Sequence, residues 1–278
     1  MNKQKTGGRN DTEDLKDRVR DFWNAASCGE KLYLTGGDRD AFNEQRRVRY
    51  ELEPIPAFAD FNAFRGKKTL EIGVGLGADH QSLAEAGANL SGIDLTERAV
   101  AFTRARFDLF GLRSDLRVAD AERLPFADSS FDAVYSWGVL HHSPNTATAT
   151  SELMRVLRPG GSAKVMIYNK HSMVGYMLWL RYGLGGFRPW RRLDYIYAHY
   201  LESPGTKAYS YQEAEKLFPT ATSVKLSSPL GHGDLLTSKA GQRHQGLALK
   251  IARLIWPRWF ITRALPNHGL GLMISLTK

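Results

Sequence analysis

Thr69-Leu-Glu-Ile-Gly-Val-Gly-Leu-Gly77, answered 17 residues later by Gly92-Ile-Asp94, is the stretch that decides the fold. A short apolar segment carrying Glu71 runs into three glycines at alternate positions. A second short apolar segment ends in a carboxylate. This is how an α/β protein builds a nucleotide pocket at the carboxyl ends of its first two parallel strands. Glycines at 73, 75 and 77 let the backbone turn sharply and let a ligand approach where a Cβ would stand. Asp94 offers two acceptor oxygens to the two hydroxyls of a ribose. These features alone do not specify which nucleotide they hold.

Outward from this stretch, strands and helices alternate. Strands are expected at 68–72, 90–94, 116–119, 132–136 and 163–168, with helices at 78–86, after Thr96 and at 148–157. Pro159-Gly-Gly161 is read as the turn into the fifth strand. The alternation predicts an α/β, doubly wound, mostly parallel sheet, completed to seven strands by 222–227 and 271–277. Upstream, 11–26 reads as a helix, and 44–62 as helix interrupted by Pro54 and Pro56. Ser210 and Glu213 form a capping box opening a helix to about Phe218. Two segments depart from the minimal pattern. Residues 169–209, rich in Tyr, Trp, Arg and Gly, are read as a cap after strand five. Residues 228–266 form a second insertion after strand six, with a helix at 246–255 stopped by Pro257. The expected organisation is a disordered tail over 1–10 and one domain over 11–278, its core at 53–168.

The 278 residues carry a net charge of +9, unevenly placed. Residues 1–169 hold 23 Lys/Arg and 24 Asp/Glu, whereas 170–278 hold 15 and 5. The basic half suits an anionic small molecule, an anionic membrane surface or nucleic acid. The single cysteine, Cys28, rules out an internal disulfide and suits a reducing cytoplasm. There is no uncharged apolar run long enough to span a bilayer, and the first residues lack an apolar signal core. The reading is a cytoplasmic protein that touches membrane at most peripherally. No metal site is expected, and oligomeric state is not legible.

Downstream motifs narrow the nucleotide. Asp120-Ala-Glu122 is followed by Leu124-Pro-Phe126, then Ser129-Ser-Phe-Asp-Ala-Val-Tyr-Ser-Trp-Gly-Val-Leu-His-His142, then Glu152-Leu-Met-Arg-Val-Leu-Arg-Pro-Gly-Gly161. In order and spacing the chain resembles the class I S-adenosylmethionine-dependent methyltransferases, and within them a bacterial subgroup acting on small molecules and lipids. The glycine string alone also fits a loose dinucleotide fingerprint, but the downstream motifs favour S-adenosyl-L-methionine. The resemblance implies that Gly73, Gly75 and Gly77 wrap the methionine part and that Glu71 steers its amino group. It implies that Asp94, with Leu95 beside it, holds the ribose. Asp120 would accept from the adenine amine, with the Ala121 amide facing the ring and Trp137 lining the pocket.

For the acceptor, His141 and His142 follow strand four at the sheet edge where chemistry occurs, in the pKa range of a base. The segment 20–34 and the two insertions should cover the acceptor. They offer Trp23, Tyr33, Tyr176 and Arg181 as contacts, with Tyr168 at the end of the fifth strand beside them. Aromatics interleaved with arginines predict a small hydrophobic or anionic organic acceptor, such as a lipid, quinone or secondary-metabolite intermediate. Family members that methylate base amino groups carry an Asn/Asp-Pro-Pro-aromatic motif where this chain has Ser136-Trp-Gly-Val139. A nucleic-acid partner is therefore not expected, although the basic half keeps RNA methylation or RNA binding as the alternative.

Overall fold

The computed structural model describes residues 11–237 and 253–278. The expected tail at 1–10 and most of the expected helix at 246–255 lie outside the described residues. Seven strands form one sheet: β1 Lys68–Ile72, β2 Asn89–Asp94, β3 Asp115–Val118, β4 Phe131–Trp137, β5 Leu157–Tyr168, β6 Ser223–Ser227 and β7 Gly271–Thr277. Their order is β3-β2-β1-β4-β5-β7-β6. Strands β1 to β5 pair in parallel, and β7 runs antiparallel between β5 and β6. The order in which strands are added reverses between β1 and β4, which opens a crevice at their carboxyl ends.

Burial on both faces explains the near-continuous apolar strands. On β4, Val134 packs toward one face with Ala149, Leu153 and Phe218, while Ala133, Tyr135 and Trp137 pack toward the other with Phe64, Leu83 and Phe107. The first face is covered by helix α7, Thr146–Val156, and helix α10, Tyr211–Glu215. The second is covered by α4 Ile55–Ala59, α5 Ala78–Glu85 and α6 Glu97–Phe110. The Ser210–Glu213 capping box is formed and opens α10. Pro159-Gly160-Gly161 lies inside β5, which starts at Leu157. The pairing register shifts there: Phe131 faces Leu157 but Ala133 faces Ser162, so the expected turn is a bulge within the strand.

Ahead of the sheet stand α1 Asp11–Ala25, α2 Glu30–Tyr33 and α3 Arg39–Leu52. After β5 comes the cap, with α8 Met173–Trp179 and α9 Leu193–Tyr200. Leu178, Ile196, Tyr197, Leu201 and Ala208 give it a small core of its own. Helix α11, Arg258–Ala264, precedes β7. Among the described residues no helix is long and apolar enough to cross a membrane.

Arg106 of α6 is fully buried and holds three of these pieces together. Its guanidinium donates to Gln81 Oε1 at 2.6 Å, Gln45 Oε1 at 2.8 Å, Phe42 O at 2.8 Å and Leu76 O at 3.1 Å. Burial pulls its pKa down to about 10, so it stays charged at neutral pH. The planar fork reaches α3, α5 and the glycine loop at once, which a lysine cannot do. An Arg106→Met variant leaves four buried acceptors without donors and should lose roughly 3 kcal/mol of stability. Thermal unfolding followed by circular dichroism checks this, and an unchanged melting temperature contradicts it.

Candidate active site

A cavity of about 310 Å³ opens at the carboxyl edge of the sheet. Its first half is made by the β1 and β2 ends. Glu71 is buried with its Oε2 2.8 Å from His80 Nδ1. Burial pushes the Glu71 carboxyl well up and the His80 imidazole down to about 3. Gly73 takes φ +86°, and a Cβ there would meet Val139 Cγ2 at 2.1 Å. Gly75 takes φ +53°, and a Cβ there would meet nothing within 4 Å. The backbone at 75 therefore faces open space, a cradle left for a ligand. Gly77 lies outside the cavity wall, where it caps α5 and is packed against Thr103.

Asp94 ends β2. Its Oδ2 accepts from Gly75 N at 3.2 Å and its Oδ1 from Thr96 N and Thr96 Oγ at 2.9 and 2.8 Å. Burial raises its pKa against those donors. Leu95 and Ala121 line the cavity beside it. Asp120 accepts from Glu122 N through Oδ1, and its Oδ2 is met at 2.5 Å by Lys16 Nζ from α1. Carboxylates at the strand ends, an open glycine cradle and an apolar wall fit the adenosine and amino-acid ends of S-adenosylmethionine.

The second half of the cavity is walled by Trp23, Trp137, Met166, Tyr168 and Met273. Met166 and Met273 face each other across β5 and β7. Trp137 serves both as core, packed near Phe58, and as wall. The two histidines separate. His142 lies at the wall, with Nδ1 2.8 Å from Ser203 Oγ and its ring edge-on to Trp23. Burial, then Lys207, brings its pKa down to about 3, so it is neutral at physiological pH. His141 is buried outside the wall, its ring 4.0 Å from Tyr168 and 4.2 Å from His142. Neither of its ring nitrogens has a hydrogen-bond partner among the described residues.

Three of the expected acceptor contacts lie away from the cavity. Tyr33 ends α2 and packs by Gly29, Tyr176 sits with its ring 6.1 Å from His268, and Arg181 lies over the Tyr182 ring. The cap aromatics pack on one another instead, as in the Tyr182–Tyr200 stack at 4.1 Å, or face solvent, as Phe187 and Trp190 do. A cap that must bury its own core spends its rings there.

Six charged wall residues carried no motif: Lys16, Arg49, Glu53, Asp79, Glu202 and Asp234. Arg49 of α3 forms a two-bond pair with buried Asp79, at 2.9 and 3.2 Å, and Tyr135 Oη donates to the same carboxylate. Glu53 follows α3, Glu202 follows α9, and Asp234 lies after β6. Glu202 accepts from Tyr168 Oη at 2.7 Å. Enclosure, and then the charges of Asp234 and Glu202 working against Arg49, push the Glu53 carboxyl up to about 7. Its folded pKa lies above its unfolded value, so its ionised form costs stability above pH 7. That cost fades as pH falls toward 4.5. Glu53→Gln should therefore raise the melting temperature at pH 8 and leave it nearly unchanged at pH 5. An equal effect at both values contradicts this placement.

Residues 70–165 match the family model described as a methyltransferase domain. The chain is 34% identical over 121 residues to phosphoethanolamine N-methyltransferase 2 of Caenorhabditis elegans, covering 43% of this chain and 27% of that protein. It is 36% identical over 115 residues to a fatty-acid O-methyltransferase of Mycolicibacterium smegmatis, covering 41% of each. The chain thus spans well under two thirds of these relatives. In fold it is similar to magnesium protoporphyrin IX methyltransferase from Synechocystis, with TM-score 0.57, 14% identity and coverage of 95% and 99% of the two chains. These matches, together with the sheet order and the fit of the cavity's first half, give one conclusion: the chain carries a class I S-adenosylmethionine-dependent methyltransferase domain.

Proposed function

We propose that this protein transfers the methyl group of S-adenosylmethionine to a small organic acceptor with a hydrophobic body. One observation carries the reading: the cradle at Gly73 and Gly75 and the wall of Trp23, Trp137, Met166 and Tyr168 belong to one continuous cavity. The bound cofactor supplies an electrophilic methyl on a sulfonium centre. The protein's task is to align a nucleophile with that methyl and to exclude water.

In this reading Glu71 and the glycine loop hold the methionine end, Asp94 the ribose and Asp120 the adenine. Trp23 and His142 close the acceptor side. A neutral imidazole at the wall, its Nδ1 2.8 Å from Ser203 Oγ and its Nε2 3.5 Å from Glu202, is placed to hydrogen-bond an acceptor group; with a pKa of about 3 it is too weak a base to take the proton. His141 is a positioning residue that packs His142 and Tyr168. The acceptor's apolar body fits the walls better than an anion does. The two cationic side chains at the cavity, Lys16 and Arg49, are already paired, with Asp120 and Glu122 and with Asp79.

The test is calorimetric binding of S-adenosylhomocysteine to the purified protein. Wild type should bind, and Asp94→Asn should weaken binding at least tenfold. That is about 1.4 kcal/mol, the size of a lost charge-assisted hydrogen bond. A wild-type protein that binds neither this compound nor S-adenosylmethionine overturns the assignment.

A further inference from the structure

The second half of the cavity holds an excess of negative charge that the cofactor does not account for. Glu53, Glu202 and Asp234 line it, each from a different accessory segment: the end of α3, the turn after α9 and the loop after β6. Asp234 is buried, and its Oδ2 accepts from Gly231 N at 3.0 Å and Leu270 N at 3.1 Å. The backbone N–H of Val174 also acts on this carboxylate. Its Oδ1 has no hydrogen-bond partner among the described residues. A buried carboxylate oxygen left without a donor costs stability and asks for one.

Asp234 lies away from the cofactor end, whereas Glu53 stands within electrostatic reach of the Arg49–Asp79 pair. Asp234 is fixed to the residue preceding β7, and β7 is three strand spacings from β1, about 14 Å. Glu71 and Asp79, at β1 and α5, are the carboxylates beside the methionine cradle. Nor is this a metal centre: among the described residues no three His, Cys, Asp or Glu side chains come together closely enough to hold an ion. What the spacing leaves is room for an organic group. The neighbouring wall is aromatic, with Trp23, Trp137 and Tyr168, and ring faces attract cations.

We infer that the acceptor molecule carries a basic nitrogen, held as a cation beside Asp234 in an aromatic-walled chamber where Glu202 and Glu53 add to the negative field. The inference rests on the methyltransferase reading above and names the substrate class for that site. The cation offers Asp234 Oδ1 its missing donor and relieves the mutual repulsion of the three carboxylates. Arg49, paired with Asp79, offsets part of the Glu53 charge but gives Asp234 Oδ1 no donor. The basic exterior of the second half does not reach this chamber, whose charge has the opposite sign.

The test uses full-length protein saturated with S-adenosylhomocysteine and three probes of similar size: phenethylamine, 2-phenylethanol and phenylacetate. By calorimetry phenethylamine should bind at least tenfold more tightly than the alcohol, and phenylacetate should give no heat of binding. Asp234→Asn and Glu53→Gln should each weaken phenethylamine at least fivefold while changing S-adenosylhomocysteine binding less than twofold. Glu53 makes no turn contact, so its variant stands as a check if Asp234→Asn folds poorly. Equal binding of amine and alcohol, tighter binding of phenylacetate, or no binding of any probe overturns the inference. So does a loss of S-adenosylhomocysteine affinity in Asp234→Asn as large as the loss of amine affinity. If wild type fails to bind S-adenosylhomocysteine, the methyltransferase reading falls as well. If it binds and the amine preference is missing, only the substrate class falls.

Discussion

A single buried guanidinium fixes the frame on which the site is built. Arg106 ties α6 to α3, α5 and the carbonyl of Leu76 within the glycine loop. Its acceptors are neutral, so the charge is solvated by the protein rather than cancelled by a counter-ion. With α3 locked to the loop, Arg49 is delivered to Asp79 and Glu53 to the cavity. The Asp79 carboxylate also receives Tyr135 from β4. The chain of contacts thus runs from a helix on the sheet's flank, through one arginine, to both ends of the cavity.

The core was legible because its elements obey local rules. Glycines at alternate positions after an apolar strand, a carboxylate at the end of the next and a capping box at Ser210 each encode their structure within a few residues. Accordingly β7 was read at its observed bounds, and β1 and β2 within one residue of theirs. The acceptor side was not legible in the same way. Glu53, Glu202 and Asp234 are far apart in sequence and meet only through the tertiary fold, so no spacing announces them. The cap misled for a physical reason. Tyr176 and Arg181 read as substrate contacts by type, yet an insertion with a core of its own draws such side chains into packing within the cap, as Arg181 does over the Tyr182 ring. Trp137 shows that core and pocket readings need not compete, since one face packs near Phe58 while the residue still lines the cavity.

The charge pattern also divides by location rather than by sequence half. The second half is basic in total, yet Glu202 and Asp234, two of its five acidic residues, are turned into the cavity. Several of its cations are used structurally. Lys170 joins Asp194 and Glu213, Lys207 Nζ donates to Ser143 O, and Lys278 reaches the Met154 and Leu157 carbonyls. Net charge therefore described the outside of the molecule and said nothing about the chamber.

The place of β7 bears on how the protein comes to exist as well as on its shape. This strand follows all the others in the chain yet lies inside the sheet, between β5 and β6. The walls of the cofactor end are complete in a growing chain once β4 and its loop have been made. Gly271 and Met273, on the far wall, come only with β7. During synthesis the glycine loop, Asp94 and the end of β4 are made well before the strand that supplies the far wall, so the cavity is not closed until the last of the seven strands is inserted.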